Sequence, residues 1–405
     1  MFYFEHIKLI MIKYYLYVDF KKIAVIIFCL FTFTGCSTVP VADTRINEER
    51  KLYRRFPCKV EGEYRIIKLF YATDRQTEEV KGELYFTSQL SNGMAKGELE
   101  ARINPDLKIS RMVPSEVKRK GTVGVLKVKK YDDEEFISKL TEAIRNSPGQ
   151  SLLVLVFGYK DNFELTATKA AYFAYLLDAD TPVLFFDWPG DQPGLLRGYK
   201  EAHQFATDSG PFFGQLLADI ILKVKPKKLW LGSSSLGCQV VCSAFEEMYK
   251  HPELSDSEAE ISHVIMAAPD VSKDEFDREF KDEICALSDR FTAYVSSKDR
   301  ALFMAKIIDW EEKLGLQQVK LDKEEQFEEA KDLLYLKSLA PDKISLIDVT
   351  PINKASGGHT YYIESPEFYD DFYMRLFEGF DGKNRRLYLV HEKEGIDYLI
   401  MRGGE

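Results

Sequence analysis

Several things are scarce in this 405-residue chain, and each scarcity excludes a class of function. There is no basic excess: 55 Lys and Arg stand against 65 Asp and Glu, for a net charge of -10. A chain this acidic lacks the cationic stripe that binding to a phosphate backbone needs, so nucleic acid is not an expected partner. No period of 20–50 residues repeats, which excludes a solenoid or a propeller, and no low-complexity tract interrupts the chain. With 45% apolar and 30% charged residues the composition is that of a folded domain, not a disordered one. No apolar run reaches the roughly 20 residues that a membrane-spanning helix requires. Histidine is limited to six positions and cysteine to six, with no clustered spacing of metal ligands, so no metal or cofactor is expected.

The longest apolar run, from Ile23 through Leu30 and on to Cys36, follows Lys21 and Lys22. A positive segment, a short apolar segment and the sequence Phe33-Thr34-Gly35-Cys36 resemble a bacterial lipoprotein signal, with small residues before the cysteine that becomes acylated. The resemblance implies a signal peptide over residues 1–35, a lipid on Cys36 and a polar tether over residues 36–63. The protein would then be held by lipid to a bacterial cell envelope, with the outer membrane suggested by Ser37. Initiation at Met11 would shorten the leader to an ordinary length. An uncleaved anchor, or a secretory signal with a chance cysteine, is the plainer alternative. Cys238 and Cys242 lie four apart on an expected helix and read as buried packing.

Beyond the leader, short apolar runs alternate with amphipathic stretches. Leu152–Phe157, Val183–Phe186, Lys228–Gly232, Val264–Ala267, Phe291–Val295 and Ile344–Val349 read as buried strands. Helical patterns fall near 133–146, 163–178, 212–224, 238–250, 301–313 and 323–337. Near-continuous apolar strands between helices predict an α/β fold: a doubly wound, mostly parallel sheet covered on both faces. Residues 64–130 hold shorter pieces around 69–72, 82–86 and 97–103, read as extra antiparallel strands at the amino-terminal side of the same domain. The domain is expected over residues 64–380, with 381–405 as an appendage.

The strand Lys228–Gly232 runs into Ser233-Ser234-Ser235-Leu236-Gly237 and then a helical pattern. A nucleophile elbow places its serine on a strained strand-to-helix turn, flanked two positions either side by small residues. Ser235 has Ser233 at -2 and Gly237 at +2, an S-x-S-x-G variant of G-x-S-x-G. The oriented amides at the helix start could hold an oxyanion. An ordinary serine-rich capping turn reads the same way. A serine needs a base, and His359 follows an apolar strand within the Gly-rich loop Ser356-Gly357-Gly358-His359. The other histidines of the body, His203, His251, His263 and His391, read as solvated or locally hydrogen-bonded rings. The acid should fall between serine and histidine. Asp299 and Asp270 both close apolar strands, with Asp299 on the strand next before that of His359, and either could instead be a helix cap.

At these residues a family pattern emerges. Phe70-Tyr71-Ala72-Thr73-Asp74-Arg75, Phe157-Gly158-Tyr159-Lys160, Asp187-Trp188-Pro189, the serine turn, Ala267-Ala268-Pro269-Asp270-Val271 and Gly358-His359-Thr360-Tyr361 occur in order. Together they resemble a bacterial α/β-hydrolase family of unknown function, whose motifs read approximately F-Y-A-T-D-R, V-H-G-Y-N, S-W-P, A-H-S-M-G, A-A-P-D-V and G-H-S-Y. The resemblance implies Ser235 as nucleophile, His359 as base and Asp299 as acid, with the amides of Leu236 and Tyr159 as the oxyanion hole. It implies a small ester or acyl substrate. Two positions depart from the pattern, Phe157 and Ser234 standing where the family has histidine. A catalytically inactive hydrolase-fold binding or scaffold protein is the competing expectation; a phospholipid-directed lipase is a third, for which no lid or apolar gorge is evident. Tyr159, Trp188, Tyr199, Tyr361 and Tyr362 fall near strand ends, where they could line a pocket or simply pack.

Overall fold

The computed structural model describes residues 59–61, 64–103, 123–194, 196–255, 260–272, 276, 280–299, 343–377, 387–391 and 397–403. The leader, most of the tether, Cys36, Cys58 and the helices expected at 301–313 and 323–337 lie outside them.

The described residues begin with an antiparallel group: β1 (Lys59–Glu61), β2 (Tyr64–Val80), β3 (Glu83–Ile103) and β4 (Val123–Tyr131). The alternating part follows. It comprises α1 (Asp133–Asn146), β5 (Ser151–Val156), α2 (Phe163–Leu177), β6 (Val183–Asp187), and α3 (Leu196–Asp219), which continues as a π-helical turn over Ile220–Val224. Then come β7 (Lys228–Ser234), α4 (Gly237–Tyr249), the short α5 (Pro252–Ser255), β8 (His263–Ala267), α6 (Lys281–Leu287), β9 (Phe291–Val295) and β10 (Ile344–Asp348). A 3-10 turn at Ser356–Gly358 leads to α7 (Tyr361–Glu364) and α8 (Pro366–Phe377), and the described chain closes with β11 (Leu387–His391) and β12 (Asp397–Met401).

The described strands form one sheet in the order β11-β12-β10-β9-β8-β7-β5-β6-β2-β3-β4, with β1 beside β2. From β2 through β6, β5, β7, β8, β9 and β10 to β12 every neighbour is parallel. The sequence explains why these strands sit centrally. Every residue of β5, β6, β8, β9 and β10 is buried, so both faces must be covered. Helices α1, α3, α4 and α6 pack on one face and α2, α7 and α8 on the other, each with its own apolar core. This is the doubly wound, mostly parallel architecture with antiparallel strands at its amino-terminal side. Helix starts are capped as their residue types dictate: the Asp132 carboxylate accepts from the Glu135 amide at 2.8 Å, and Asn162 Oδ1 from the Leu165 amide at 2.9 Å.

Three features differ from the sequence expectation. The amino-terminal strands are longer: β2 has 17 residues and β3 has 21. Their outer halves form a hairpin arm with Val80 and Tyr85 largely exposed, so polarity concealed its strand character. Helix α3 begins well before residue 212, because Gly198, Gly210 and Pro211 break the apolar pattern without breaking the helix. Gly210 and Gly214 are there for closeness: a Cβ at Gly210 would lie 2.2 Å from Ser243 Cβ on α4, and one at Gly214 2.8 Å from the Ala244 carbonyl. Finally, the segment expected as an appendage contributes β12, which pairs in parallel with β10, and β11 beyond it.

Candidate active site

The strand order places a crevice where the chemistry-bearing residues sit. The chain winds from β5 outward to β6 and returns to β7 on the other side of β5, so connections diverge at the carboxyl ends of β5 and β7. The turn after β5 carries Phe157 to Asp161, the turn after β7 carries Ser235, and the loops after β9 and β10 carry Asp299 and His359.

Ser235 occupies the left-handed region at φ 54°, a conformation that costs a non-glycine residue about 1–3 kcal/mol unless its surroundings impose it. Here they do. Its amide donates to the Ala267 carbonyl at 3.0 Å, and its own carbonyl accepts from the amides of Cys238 at 3.0 Å and Asp270 at 3.2 Å. The small flanking residues have distinct reasons. A Cβ on Gly237 would lie 2.5 Å from the Phe157 carbonyl oxygen, so helix α4 approaches the end of β5 only without one. Ser233, where the elbow pattern has glycine, donates its hydroxyl to Cys238 Sγ at 3.2 Å in the core. Gly158 crosses directly over the serine: a Cβ there would meet Ser235 Cβ at 2.6 Å and Oγ at 2.9 Å.

His359 is held by two laced loops. Gly358, at φ 76°, packs so closely that a Cβ would fall 1.9 Å from the Lys298 carbonyl oxygen. Asn353 Nδ2 donates to the Gly358 carbonyl at 2.6 Å and to Ser296 Oγ at 2.7 Å, tying the His359 loop to the Asp299 loop. Thr350 Oγ1 accepts from the Ser297 amide at 3.0 Å and adds a second tie. The result is a continuous chain: His359 Nδ1 lies 2.8 Å from Asp299 Oδ2, and His359 Nε2 lies 2.9 Å from Ser235 Oγ. Asp299 accepts only as a carboxylate, so Nδ1 carries the proton and Nε2 is left to accept from the serine hydroxyl. Burial opposes the imidazolium, but the charge and hydrogen bond of Asp299, aided by the Asp270 carboxylate, outweigh it and raise the His359 pKa above its ordinary value.

The other expected residues have definite places. Asp270 receives the Tyr199 hydroxyl, 3.0 Å from each carboxylate oxygen, so of the two candidate acids it is Asp299 that bonds the imidazole. The Leu236 amide stands at the start of α4, where helix geometry provides no intrahelical acceptor, and Tyr159 follows the glycine that overlies Ser235. His263 is buried in the sheet, 2.8 Å from Thr292 Oγ1, with its pKa lowered to about 3 chiefly by burial. Of the five aromatics near the strand ends, Trp188, Tyr199, Tyr361 and Tyr362 are buried packing elements, and only Tyr159 keeps partial exposure, its ring edge-on to Tyr199. The Tyr361 hydroxyl accepts from the Ala268 amide and donates to the Tyr294 carbonyl, fixing the turn behind the elbow.

Phe157 and Ser234, the two departures from the motif pattern, line one cavity of about 20 Å³ together with Phe173, Tyr362 and Phe372. It has room for about one water molecule. Ser234 is buried there beside Tyr362. The two departures therefore sit in the packing beneath the elbow, while Ser235, His359 and Asp299 stand within hydrogen-bonding distance of one another. Nothing in the sequence points to Asn353, and Trp188 stands out there, beyond its motif, only as a strand-end aromatic that could line a pocket or pack. Trp188 Nε1 donates to the Phe157 carbonyl at 2.8 Å, and the only hint of this in the sequence is its place in the Asp187-Trp188-Pro189 motif.

The family model described as "Alpha/beta hydrolase of unknown function (DUF900)" matches residues 132–377, the span that holds Ser235, Asp299 and His359. The chain belongs to this family. It is a hydrolase-fold protein of that family over more than half its length, and the antiparallel strands β1 to β4 precede the matched span. None of the curated proteins matches the sequence. Solved structures similar to the chain include a cold-adapted esterase from an Arctic intertidal metagenomic library, at 10% identity and a TM-score of 0.37, covering 79% of this chain and 97% of that one. Esterase B from Lactobacillus rhamnosis is similar at 10% identity and a TM-score of 0.35, over 84% and 90% of the two chains. The Pyrococcus furiosus esterase Pf2001 is similar at 11% identity and a TM-score of 0.33, over 80% and 95%. Likeness at this level carries no argument about activity.

Proposed function

We propose that the chain is a serine hydrolase that transfers the acyl group of a small ester to water through an acyl-serine, and that lipid on Cys36 holds it to a bacterial cell envelope. The observation that carries the catalytic part is the Ser235–His359–Asp299 chain of hydrogen bonds at 2.9 and 2.8 Å. Ser235 Oγ attacks the ester carbonyl while its proton passes to His359 Nε2. The carbonyl π electrons move to oxygen, which the amides of Leu236 and Tyr159 receive. Collapse of this intermediate expels the alkoxide, protonated by His359, and leaves the acyl group on Oγ. A water molecule, deprotonated by the same imidazole, then repeats the sequence and releases the acid. Asp299 keeps the ring in the working tautomer and stabilises the imidazolium. The strained φ of Ser235 supports the same reading, since such strain persists where surroundings fix a reactive group.

The imidazole works as a base only when neutral, and its pKa is raised. The acid limb of kcat/KM on a short-chain nitrophenyl ester should therefore have its midpoint above the ordinary histidine value of about 6.5. A pH profile from pH 5 to 9 on the full chain checks this. A midpoint well below 6.5 contradicts the role given to Asp299. A folded chain that hydrolyses no ester supports instead a binding protein built on the hydrolase fold. The anchor has its own test: Cys36→Ser should move the protein from the membrane fraction of an expressing bacterium to the soluble fraction. Unchanged membrane retention would refute the lipid on Cys36.

A further inference from the structure

The Phe70–Arg75 motif takes no part in the hydrogen-bonded chain at Ser235, yet its last residue is the largest of the side chains that are less than 2% exposed among the described residues. Arg75 is 1% exposed. All five of its N–H groups are used, and their partners come from three separate stretches of chain, at Thr87, Asp161 and 187–191. Nε donates to Asp187 Oδ2 at 2.6 Å. Nη1 donates to Asp191 Oδ1 at 2.6 Å and to the Thr87 carbonyl at 3.1 Å. Nη2 donates to the carbonyls of Asp161 at 2.8 Å and Trp188 at 2.6 Å. Asp187 is itself fixed by the Thr73 hydroxyl at 3.1 Å.

Two of these contacts converge on the turn after β5. Arg75 holds Asp161 directly. It also holds Trp188, whose indole N–H donates to the Phe157 carbonyl at 2.8 Å. The turn is thus pinned on both sides of Tyr159. The Asp161 carboxylate is further locked by Lys169 Nζ at 2.7 and 2.6 Å. The Lys160 amide donates to the Gly190 carbonyl at 3.0 Å, and its ammonium to the carbonyls of Gln192 at 2.7 Å and Gly194 at 2.9 Å. Well-packed apolar residues would stabilise such a position at least as well as a buried ion pair does, so stability alone does not account for the arginine. A planar fork with five fixed donors supplies something apolar filling lacks, a definite geometry for the backbone it grips.

We infer that Arg75 is a positioning residue for the oxyanion hole: through Asp161 and Trp188 it holds the 157–161 turn so that the Tyr159 amide faces the oxygen that becomes negative. The inference rests on the serine-hydrolase reading and adds a residue about 160 positions upstream of the nucleophile, outside the span matched by the family model.

The test compares the full chain with Arg75→Lys and Trp188→Phe. Three quantities are read: kcat and KM on a short-chain nitrophenyl ester, per active site titrated with a fluorophosphonate, and the inhibition constant of a small trifluoromethyl ketone. Ser235 Oγ adds to the ketone carbonyl, His359 takes the proton, and the resulting oxyanion occupies the hole. Lysine lacks the fork, so Arg75→Lys should lower kcat by about 10²–10³-fold. KM should change less than about threefold, and the ketone should weaken in parallel with kcat/KM. Trp188→Phe, which removes one anchor and keeps a ring, should give the same pattern at about tenfold. A merely structural role would lower the titratable fraction and leave the per-site kcat and the ketone affinity unchanged, and that result in Arg75→Lys overturns the inference. If Arg75→Lys does not fold, wild-type kcat and ketone affinity in Trp188→Phe overturn it. A folded wild-type chain that neither hydrolyses the ester nor binds the ketone fails at the earlier step, and the serine-hydrolase reading falls with everything built on it.

Discussion

Ser235→Ala should lower turnover of a short-chain nitrophenyl ester by about 10⁶-fold, to a level set by whatever binding and oxyanion stabilisation remain. The size of the effect follows from the mechanism. Without Oγ there is no acyl-enzyme, and water held near His359 is not a substitute for a hydroxyl fixed 2.9 Å from Nε2. The fold should survive, because the backbone contacts that force φ to 54° involve the amide and carbonyl of residue 235 and not its hydroxyl. Steady-state rates and thermal unfolding on the same preparation separate the two. A variant that keeps more than about a hundredth of the wild-type rate would remove Ser235 from the chemistry.

The second large effect distinguishes the two aspartates that the sequence left in competition. Asp299→Asn should cost about 10⁴-fold in kcat, since an amide no longer selects the tautomer with its proton on Nδ1 nor stabilises the imidazolium. Asp270→Asn should stay within about tenfold. Asp270 receives the Tyr199 hydroxyl and influences His359 only through its charge, so this variant should mainly move the acid limb of the pH profile downward. Comparable losses in both variants, or the larger loss in Asp270→Asn, would reverse the assignment.

Which parts of this arrangement are legible in the sequence follows from the range of the interactions. Ser235 was visible because an elbow is local: strand, small-residue turn and helix lie within about a dozen positions. His359 was visible because few histidines exist and one follows a strand in a glycine pair. The choice of Asp299 was less local, and only the laced loops of Thr350, Asn353 and Gly358 settle which carboxylate meets the ring. In the sequence Arg75 is legible only as the end of the Phe70–Arg75 motif, with no role attached. Its partners lie up to 116 positions away, and no periodicity or spacing reports which carbonyls a buried guanidinium grips. The hairpin arm of β2 and β3 is illegible for a different reason. Its outer residues contact solvent, so the burial alternation that betrays a strand is absent there. In α3 glycines serve close helix packing, and the same residues read in isolation as breaks.

A single peptide map addresses the shared premise of all these expectations. The full chain is treated with a fluorophosphonate, digested and analysed by mass spectrometry. A serine made nucleophilic by His359 should carry the phosphonyl group on Ser235 stoichiometrically, and the label should vanish in His359→Ala, which leaves the serine in place. Stoichiometric label on any other residue, or a folded protein that remains unlabelled, would contradict the account.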